Sequence, residues 1–377
     1  MPYPDLLPPV PPLAILNCSS PNCTLANFSA FHGDECHADK PLFVTLAVAY
    51  SAVFLLGVTG NLALIVLIWR QRELSNATSV LIANLSASDL LMAFVCLPFT
   101  FAYTFMDHWV FGSAMCKINS LVQCASVSVS IFSLVLIAIE RHQLIVRPRG
   151  WRPSAFQAFL GVGISWGLAL LTAMPFLLFS ITTDAPLQHL PAIMREDYRG
   201  KVVCMEQWPS RQFKLAYTTT MFLLQYVAPL AFIFICYLKI YVRLRRRKSV
   251  MERMRENKYR SYETKRINVM LFSIVVAFAI CWLPLNIFNA VVDWNHEAAM
   301  NCTHNPLFLL CYLTAMCSIC INPVFYGLLN RNFQRDLQSF RLCKRLSTKE
   351  EEYDPVAMST IHSDLSKTSL KLSSADI

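Results

Sequence analysis

Charge is the scarcest thing in this chain: Asp, Glu, Lys and Arg supply only 15% of its 377 residues, where a soluble globular domain carries about 25%. Apolar residues make up 55%. That balance excludes an ordinary soluble domain and points to the membrane class. Glycine is sparse as well, at ten residues. There is no glycine-rich loop to cradle a phosphate, no His-Glu-x-x-His, and no Ser-His-acid set on a soluble scaffold, so no enzyme chemistry is expected. Acids inside the apolar runs are few and do not recur along one run, as a proton relay or ion path would require. A secondary transporter would show paired, broken internal repeats, and none is found. Residues 1–30 lack a basic segment followed by an apolar core, so no cleaved signal peptide is expected and the first span itself should direct insertion.

What is present is apolar sequence in long blocks. Seven runs of about 20 or more residues with few charges lie near 42–69, 79–106, 116–141, 156–180, 215–240, 267–292 and 306–329. At ~1.5 Å rise per residue each is long enough to cross the ~30 Å hydrocarbon layer. The expected fold is an all-α membrane protein: a seven-transmembrane helix bundle over 42–329 behind a tail of 1–41. A short amphipathic cytoplasmic helix over 330–345 and a disordered tail over 346–377 follow. The third run, Cys116 to Arg141, organises the rest. Its residues between Lys117 and Glu140 carry no charge, yet Gln123, Ser126, Ser128, Ser130 and Ser133 interrupt it. Polar groups in lipid turn toward protein or water, so this helix should sit inside the bundle.

Orientation follows from Lys and Arg. Arg70 and Arg72 follow the first run, Arg147, Arg149 and Arg152 follow the third, and residues 243–266 hold eleven basic residues against three Glu. Residues 107–115 and 293–305 hold none. The rule that cytoplasmic loops are basic puts the amino terminus outside and the carboxyl terminus in the cytosol. The net charge of +9 is then a topology signal, and a nucleic-acid patch is the weaker explanation, there being no folded soluble domain to carry it. Glycosylation acceptors at Asn17, Asn22, Asn27 and Asn301 agree with that orientation.

Asp89 places a carboxylate at mid-membrane depth, where it must meet partners or a cation. Asn61, Ser130, Ser318 and Asn322 are candidate partners. The alternatives are a hydrogen-bonded carboxylate and a hydrated sodium pocket of Asp89, Ser130, Ser318 and Asn322; no other metal or cofactor is expected. An extracellular compartment permits a disulfide between Cys116 and Cys204, pinning the long 181–214 connection across the bundle mouth. Cys36 and Cys302 form a second candidate pair, with Cys18 and Cys23 as competitors. Pro175, Pro229, Pro284 and Pro323 lie inside runs, where proline kinks a helix into a hinge or a static bend. Beyond the seventh run Phe333, Leu337 and Phe340 share one face beside basic residues, Cys343 suits palmitoylation, and the Ser/Thr-rich tail suits kinases. A closed outer loop, hinges and a basic inner face describe a signal relay.

Taken together, Glu140-Arg141-His142, Cys281-Trp282-Leu283-Pro284, Asn322 to Tyr326, Trp166, Asp89, Pro229 and the Cys116/Cys204 pair resemble the rhodopsin-like class of G protein-coupled receptors. The usual acid-Arg-Tyr triplet is here Glu-Arg-His, which keeps the arginine. The resemblance implies that Glu140 holds Arg141 at rest and that the sixth helix swings out to release it, with Trp282, Pro284, Asn322, Pro323, Tyr237 and Tyr326 completing the switch. The carboxylate that amine receptors place on the third helix is missing, with Gln123 standing roughly there, and the seventh run has no lysine for a retinal Schiff base.

The outer rim carries Asp107, Glu196, Asp197, Glu206, Asp293 and Glu297 among Tyr103, Trp109, Trp208 and Trp294. Carboxylates facing a partly desolvated pocket favour a cationic ligand, and arginine matches them best. More narrowly, Met106 to Gly112, Glu140 to Val146, Ile287 to Trp294 and Ala357 to Asp364 resemble the neuropeptide Y receptor family, nearest its type 1, 4 and 6 branch. That resemblance implies a peptide ending in amidated Arg-Tyr, with Asp293 and Asn289 matching an arginine site and Gln123 and Gln225 matching amide contacts. Tyr103, Asp107, Trp282, Phe288, Asn305 and Tyr312 complete the candidate peptide site; the family often has His where Tyr312 stands. It also implies an inhibitory heterotrimeric G protein that lowers cyclic AMP, with arrestin and receptor kinases at the tail. Another basic or amidated peptide is the alternative ligand.

Overall fold

The chain is described by a computed structural model over residues 40–106, 108–147, 150–185, 199–251, 258–294 and 304–329. Seven of its helices are long and apolar enough to cross a membrane: Val44–Arg70, Ala77–Met106, Gly112–Val146, Ala155–Phe179, Arg211–Arg246, Lys265–Trp294 and Leu307–Phe325. They are called the first to seventh spans below. The sequons, Cys18, Cys23, Cys36, Cys302, Asp107, Glu196, Asp197, Glu297, Cys343 and the segments 330–345 and 346–377 lie outside the described residues. The side chains of Asn305 and Tyr326 do too.

The spans start where side chains can hold free backbone N–H groups. Asn76 accepts from the amide of Thr78 ahead of the second span, and Ser154 forms a reciprocal capping box with Gln157 ahead of the fourth. Ser210 accepts from the amide of Phe213 at 3.1 Å ahead of the fifth. Several helices overrun the apolar runs that announce them. The fifth begins at Arg211 and its last segment is helical to Met251, while the helix holding the sixth span starts at Lys258. Arginine and lysine are good helix formers, so the helix continues after the hydrocarbon ends.

The third span is the axis of the bundle. Ser126, Ser128, Ser133, Val129, Ile131 and Ala138 are fully buried along it, and it packs against the second, fourth and fifth spans. The first span turns Leu55, Leu56 and Val66 outward and buries Leu46, Tyr50, Asn61 and Leu64. The outward set is the surface a bilayer would cover.

Prolines disturb several of the helices. The last span is two helices, His304–Met316 and Ser318–Leu329, and Pro323 lies inside the second. Lacking an N–H, Pro323 leaves the carbonyl of Ile319 without its helical donor. Asn61 Nδ2 supplies one at 2.7 Å from the first span. Two wide π-turns, Met92–Cys96 and Leu223–Val227, sit just before Pro98 and Pro229; such turns accommodate the lost bond. Two short strands, β1 (Ser180–Thr183) and β2 (Val203–Glu206), pair antiparallel with Thr182 opposite Cys204. The Cys116–Cys204 disulfide ties β2 to the top of the third span.

Close packing of the first and seventh spans requires glycine. A Cβ at Gly60 would lie 2.6 Å from Cβ and Cγ of Pro323, whereas one at Gly163 would meet nothing within 4 Å. Gly60→Ala should therefore cost about 1–3 kcal/mol through overpacking. Thermal unfolding of detergent-solubilised protein would show a lower midpoint for Gly60→Ala and an unchanged or slightly higher one for Gly163→Ala.

Candidate functional site

At the hairpin end of the bundle the third, fifth, sixth and seventh spans enclose a cavity of about 770 Å³ that β2 roofs over. Gln123, Gln225, Trp282, Phe288, Asn289 and Asp293, all named from the sequence, line it. Two residues of the group sit elsewhere. Tyr103 donates its hydroxyl to the carbonyl of Cys204 at 3.2 Å and packs edge-on against Trp109. Tyr312 is fully buried and stacks between Phe308 and Tyr50. Gln225 is already engaged, donating to Ser128 Oγ at 2.5 Å across to the third span.

The cavity wall also holds Lys214, which motif reading passed over, and Glu206, named on the outer rim. Lys214, in the first turn of the fifth span, pairs with Asp293 at 2.8 Å. Trp208 is buried among Phe176, Phe179, Phe213 and Tyr217, and its indole N–H donates to Glu206 Oε2 at 2.7 Å. Enclosure pushes the Glu206 carboxyl above its ordinary value. The Trp208 bond and the Lys214 ammonium pull the other way, and the Asp293 carboxylate adds to the rise. The mouth is therefore a cluster of two acids and one cation around an otherwise neutral cavity.

Below it, Trp282 Nε1 donates to Ser318 Oγ at 3.1 Å, joining the cavity floor to a polar layer at mid-depth. Asn322 Nδ2 donates to Asp89 Oδ2 at 2.6 Å, and Ser88 and Ser130 bond at 2.8 Å. Of the four partners expected of Asp89, Asn322 bonds to it directly, while Asn61 turns to Gly57 and Ile319. The side-chain carbonyl oxygens of Asn61 and Asn322 are buried without a partner among the described residues. A carboxylate, hydroxyls and an unpartnered carbonyl oxygen fit a hard monovalent cation, which prefers oxygen ligands. Beside this layer Asn84 donates to Ser133 Oγ at 2.8 Å and accepts from Trp166 Nε1 at 2.9 Å. Three spans are so joined by one amide.

At the opposite, basic end Glu140 and Arg141 approach to 3.7 Å. Thr78 completes the group: its hydroxyl donates to Glu140 Oε1 at 2.6 Å and accepts from Arg141 Nη2. A threonine at the start of the second span carries no motif of its own. Its polar side chain at the depth of Arg141 was the available signal. Tyr237 is buried nearby in the same core, and its hydroxyl has no partner among the described residues.

Comparison with known proteins places this geometry in context. The family description "7 transmembrane receptor (rhodopsin family)" matches residues 60–326. The neuropeptide Y receptor type 1 of Xenopus laevis is 55% identical over 358 residues, covering 95% of this chain and 97% of the relative. The type 6 receptor of Oryctolagus cuniculus is 51% identical over 364 residues, with the same coverage. The type 4 receptor of Rattus norvegicus is 44% identical over 358 residues, 95% of this chain and 94% of the relative.

Glu206 carries a stability consequence. Because its folded-state value lies above its unfolded one, the folded state holds the proton longer, and stability falls as pH rises through the folded value. The penalty is absent in acid and grows as pH rises past the ordinary carboxylate range. Glu206→Gln keeps an acceptor for Trp208 and removes the charge, so unfolding midpoints of wild type and variant should converge near about pH 4 and diverge toward about pH 7, with the variant higher. A gap independent of pH would contradict this.

Proposed function

The chain belongs to the rhodopsin family of seven-transmembrane receptors and, within it, to the neuropeptide Y receptors; from that premise we propose that it binds amidated peptides of the neuropeptide Y, peptide YY and pancreatic polypeptide type and signals through inhibitory G proteins, lowering cyclic AMP. It is a multi-pass plasma-membrane receptor, with its amino terminus and the hairpin end outside. The observation that carries the ligand reading is the Asp293 carboxylate. It stands in the cavity wall one helical turn above Asn289, and it holds a cation at 2.8 Å.

The ligand's penultimate arginine takes Asp293 and Asn289, a bidentate match for its guanidinium fork. Its terminal amide reaches Gln123 and Gln225, deeper between the third and fifth spans. Trp282, on the cavity floor and one residue pair before Pro284, passes the displacement to the polar layer through Ser318. At the basic end the sixth span swings away, and Arg141 leaves Glu140 and Thr78 for the G protein, with Tyr237 and Tyr326 filling the gap. The basic residues of 243–266 and the tail then meet the transducer, arrestin and kinases.

Asp89, Ser130, Ser318 and Asn322 supply the oxygens for an allosteric sodium ion, whose charge would offset the buried carboxylate. Sodium should lower peptide affinity in the wild type, and Asp89→Asn should abolish that dependence in binding assays run with sodium or with a bulky organic cation. Retention of the sodium effect would remove the site.

Asp293→Ala is the direct test of the ligand reading. Losing one partner of a partly buried charge pair costs several kcal/mol, so peptide potency in a cyclic AMP assay should fall by on the order of a hundredfold with surface expression retained. Unchanged potency would remove the arginine site.

A further inference from the structure

The carboxylate offered to the ligand is already occupied. Lys214 Nζ lies 2.8 Å from Asp293 Oδ1, and the Asp293 side chain is only 12% exposed against 35% for Lys214. The two residues come from different spans: Lys214 from the first turn of the fifth, Asp293 from the last turn of the sixth. A second bond runs in parallel, from Arg211 Nη2 to the main-chain oxygen of Trp294 at 3.2 Å. Arg211 and Lys214 are three residues apart and so share a helix face. Their target is the carbonyl end of a helix, where the dipole favours cations. The top of the sixth span is thus fastened to the fifth by two cations, and Glu206 in the same cavity wall is a second acid within the field of Lys214.

We propose that Lys214 is a built-in stand-in for the ligand's cation: it holds Asp293 and the hairpin end of the sixth span while the cavity is empty, and an arginine-bearing peptide binds by displacing it toward Glu206 and solvent. This rests on the reading of Asp293 as the arginine site. The chemistry favours the exchange in one direction. A guanidinium presents two parallel N–H donors to a carboxylate, and an ammonium presents a point charge. Arginine therefore displaces Lys214 where a lysine-bearing peptide would only replace like with like. Lys214 sets a threshold that filters ligands by the kind of cation they carry. It also couples binding to release of the sixth span at the end where the ligand enters.

The test uses full-length receptor in membranes and two amidated peptides identical except for arginine or uncharged citrulline before the terminal tyrosine amide. The quantity read is the ratio of their affinities. Lys214→Gln should raise the arginine-to-citrulline ratio about two- to fivefold, the range expected for removing a partly exposed ion pair, and leave citrulline-peptide affinity within about twofold. Lys214→Met, which keeps the apolar stem, should do the same, and Lys214→Arg should leave the ratio at or below wild type. An unchanged or lower ratio in the neutral variants overturns the proposal, and so does an equal gain for both peptides. Asp293→Asn, measured in parallel, separates the two readings. If it leaves the ratio at the wild-type value, the arginine site fails and this proposal with it. If it collapses the ratio while Lys214→Gln leaves it flat, only the role of Lys214 fails.

Discussion

Hydrocarbon offers no hydrogen bonds, and that constraint shapes every part of this bundle. A polar side chain taken into the spans is stabilised chiefly by partners within the protein. Asn61 caps the carbonyl that Pro323 leaves free, Asn84 joins Ser133 and Trp166, and Asn322 meets Asp89. The few ionisable groups at depth are paired or sit at the ends. A neutral middle with charged ends is the arrangement that results.

The same constraint gathers the charged groups at the two ends of the bundle. At the hairpin end the charges cluster around a cavity, Glu206 and Asp293 with Lys214 between them. At the basic end Glu140, Arg141 and Thr78 close on one another. Between them runs a thin chain of polar contacts, Trp282 to Ser318 and Asn322 to Asp89, beside prolines and π-turns that weaken the helical ladder. On the proposed reading, a peptide bringing its own cation changes the contacts at the hairpin end without crossing the bilayer.

Much of this was legible from composition and spacing. The seven spans follow from apolar length alone, since nothing else in a soluble protein demands such runs. The polar stripe of the third run correctly placed it at the bundle axis, and the Cys116–Cys204 link followed from two thiols at one end. The cavity wall was read through Asp293, Asn289, Gln123, Gln225, Trp282 and Phe288. What was missed has a common cause. Hydropathy ends a span at its first charges, so Lys214 fell into a loop although the helix begins at Arg211. Thr78 acts through hydrogen bonds to Glu140 and Arg141, separated from it by 62 and 63 residues, which no periodicity reveals. The β1–β2 pair is only four residues on each side, too short for alternation to stand out. Tyr103 and Tyr312 have the right depth but turn to Cys204 and to the aromatic stack, because rotamer choice is settled by packing.

On the proposed mechanism, occupying the Asp293 carboxylate with a peptide's guanidinium opens the far end of the bundle. Paramagnetic labels at positions 147 and 267, both exposed at the basic end, would report the separation of the third and sixth spans. The arginine peptide should add a population several ångströms longer, and the citrulline peptide far less of it at equal occupancy. An unchanged distance distribution at saturating arginine peptide, with the G protein present, would contradict it.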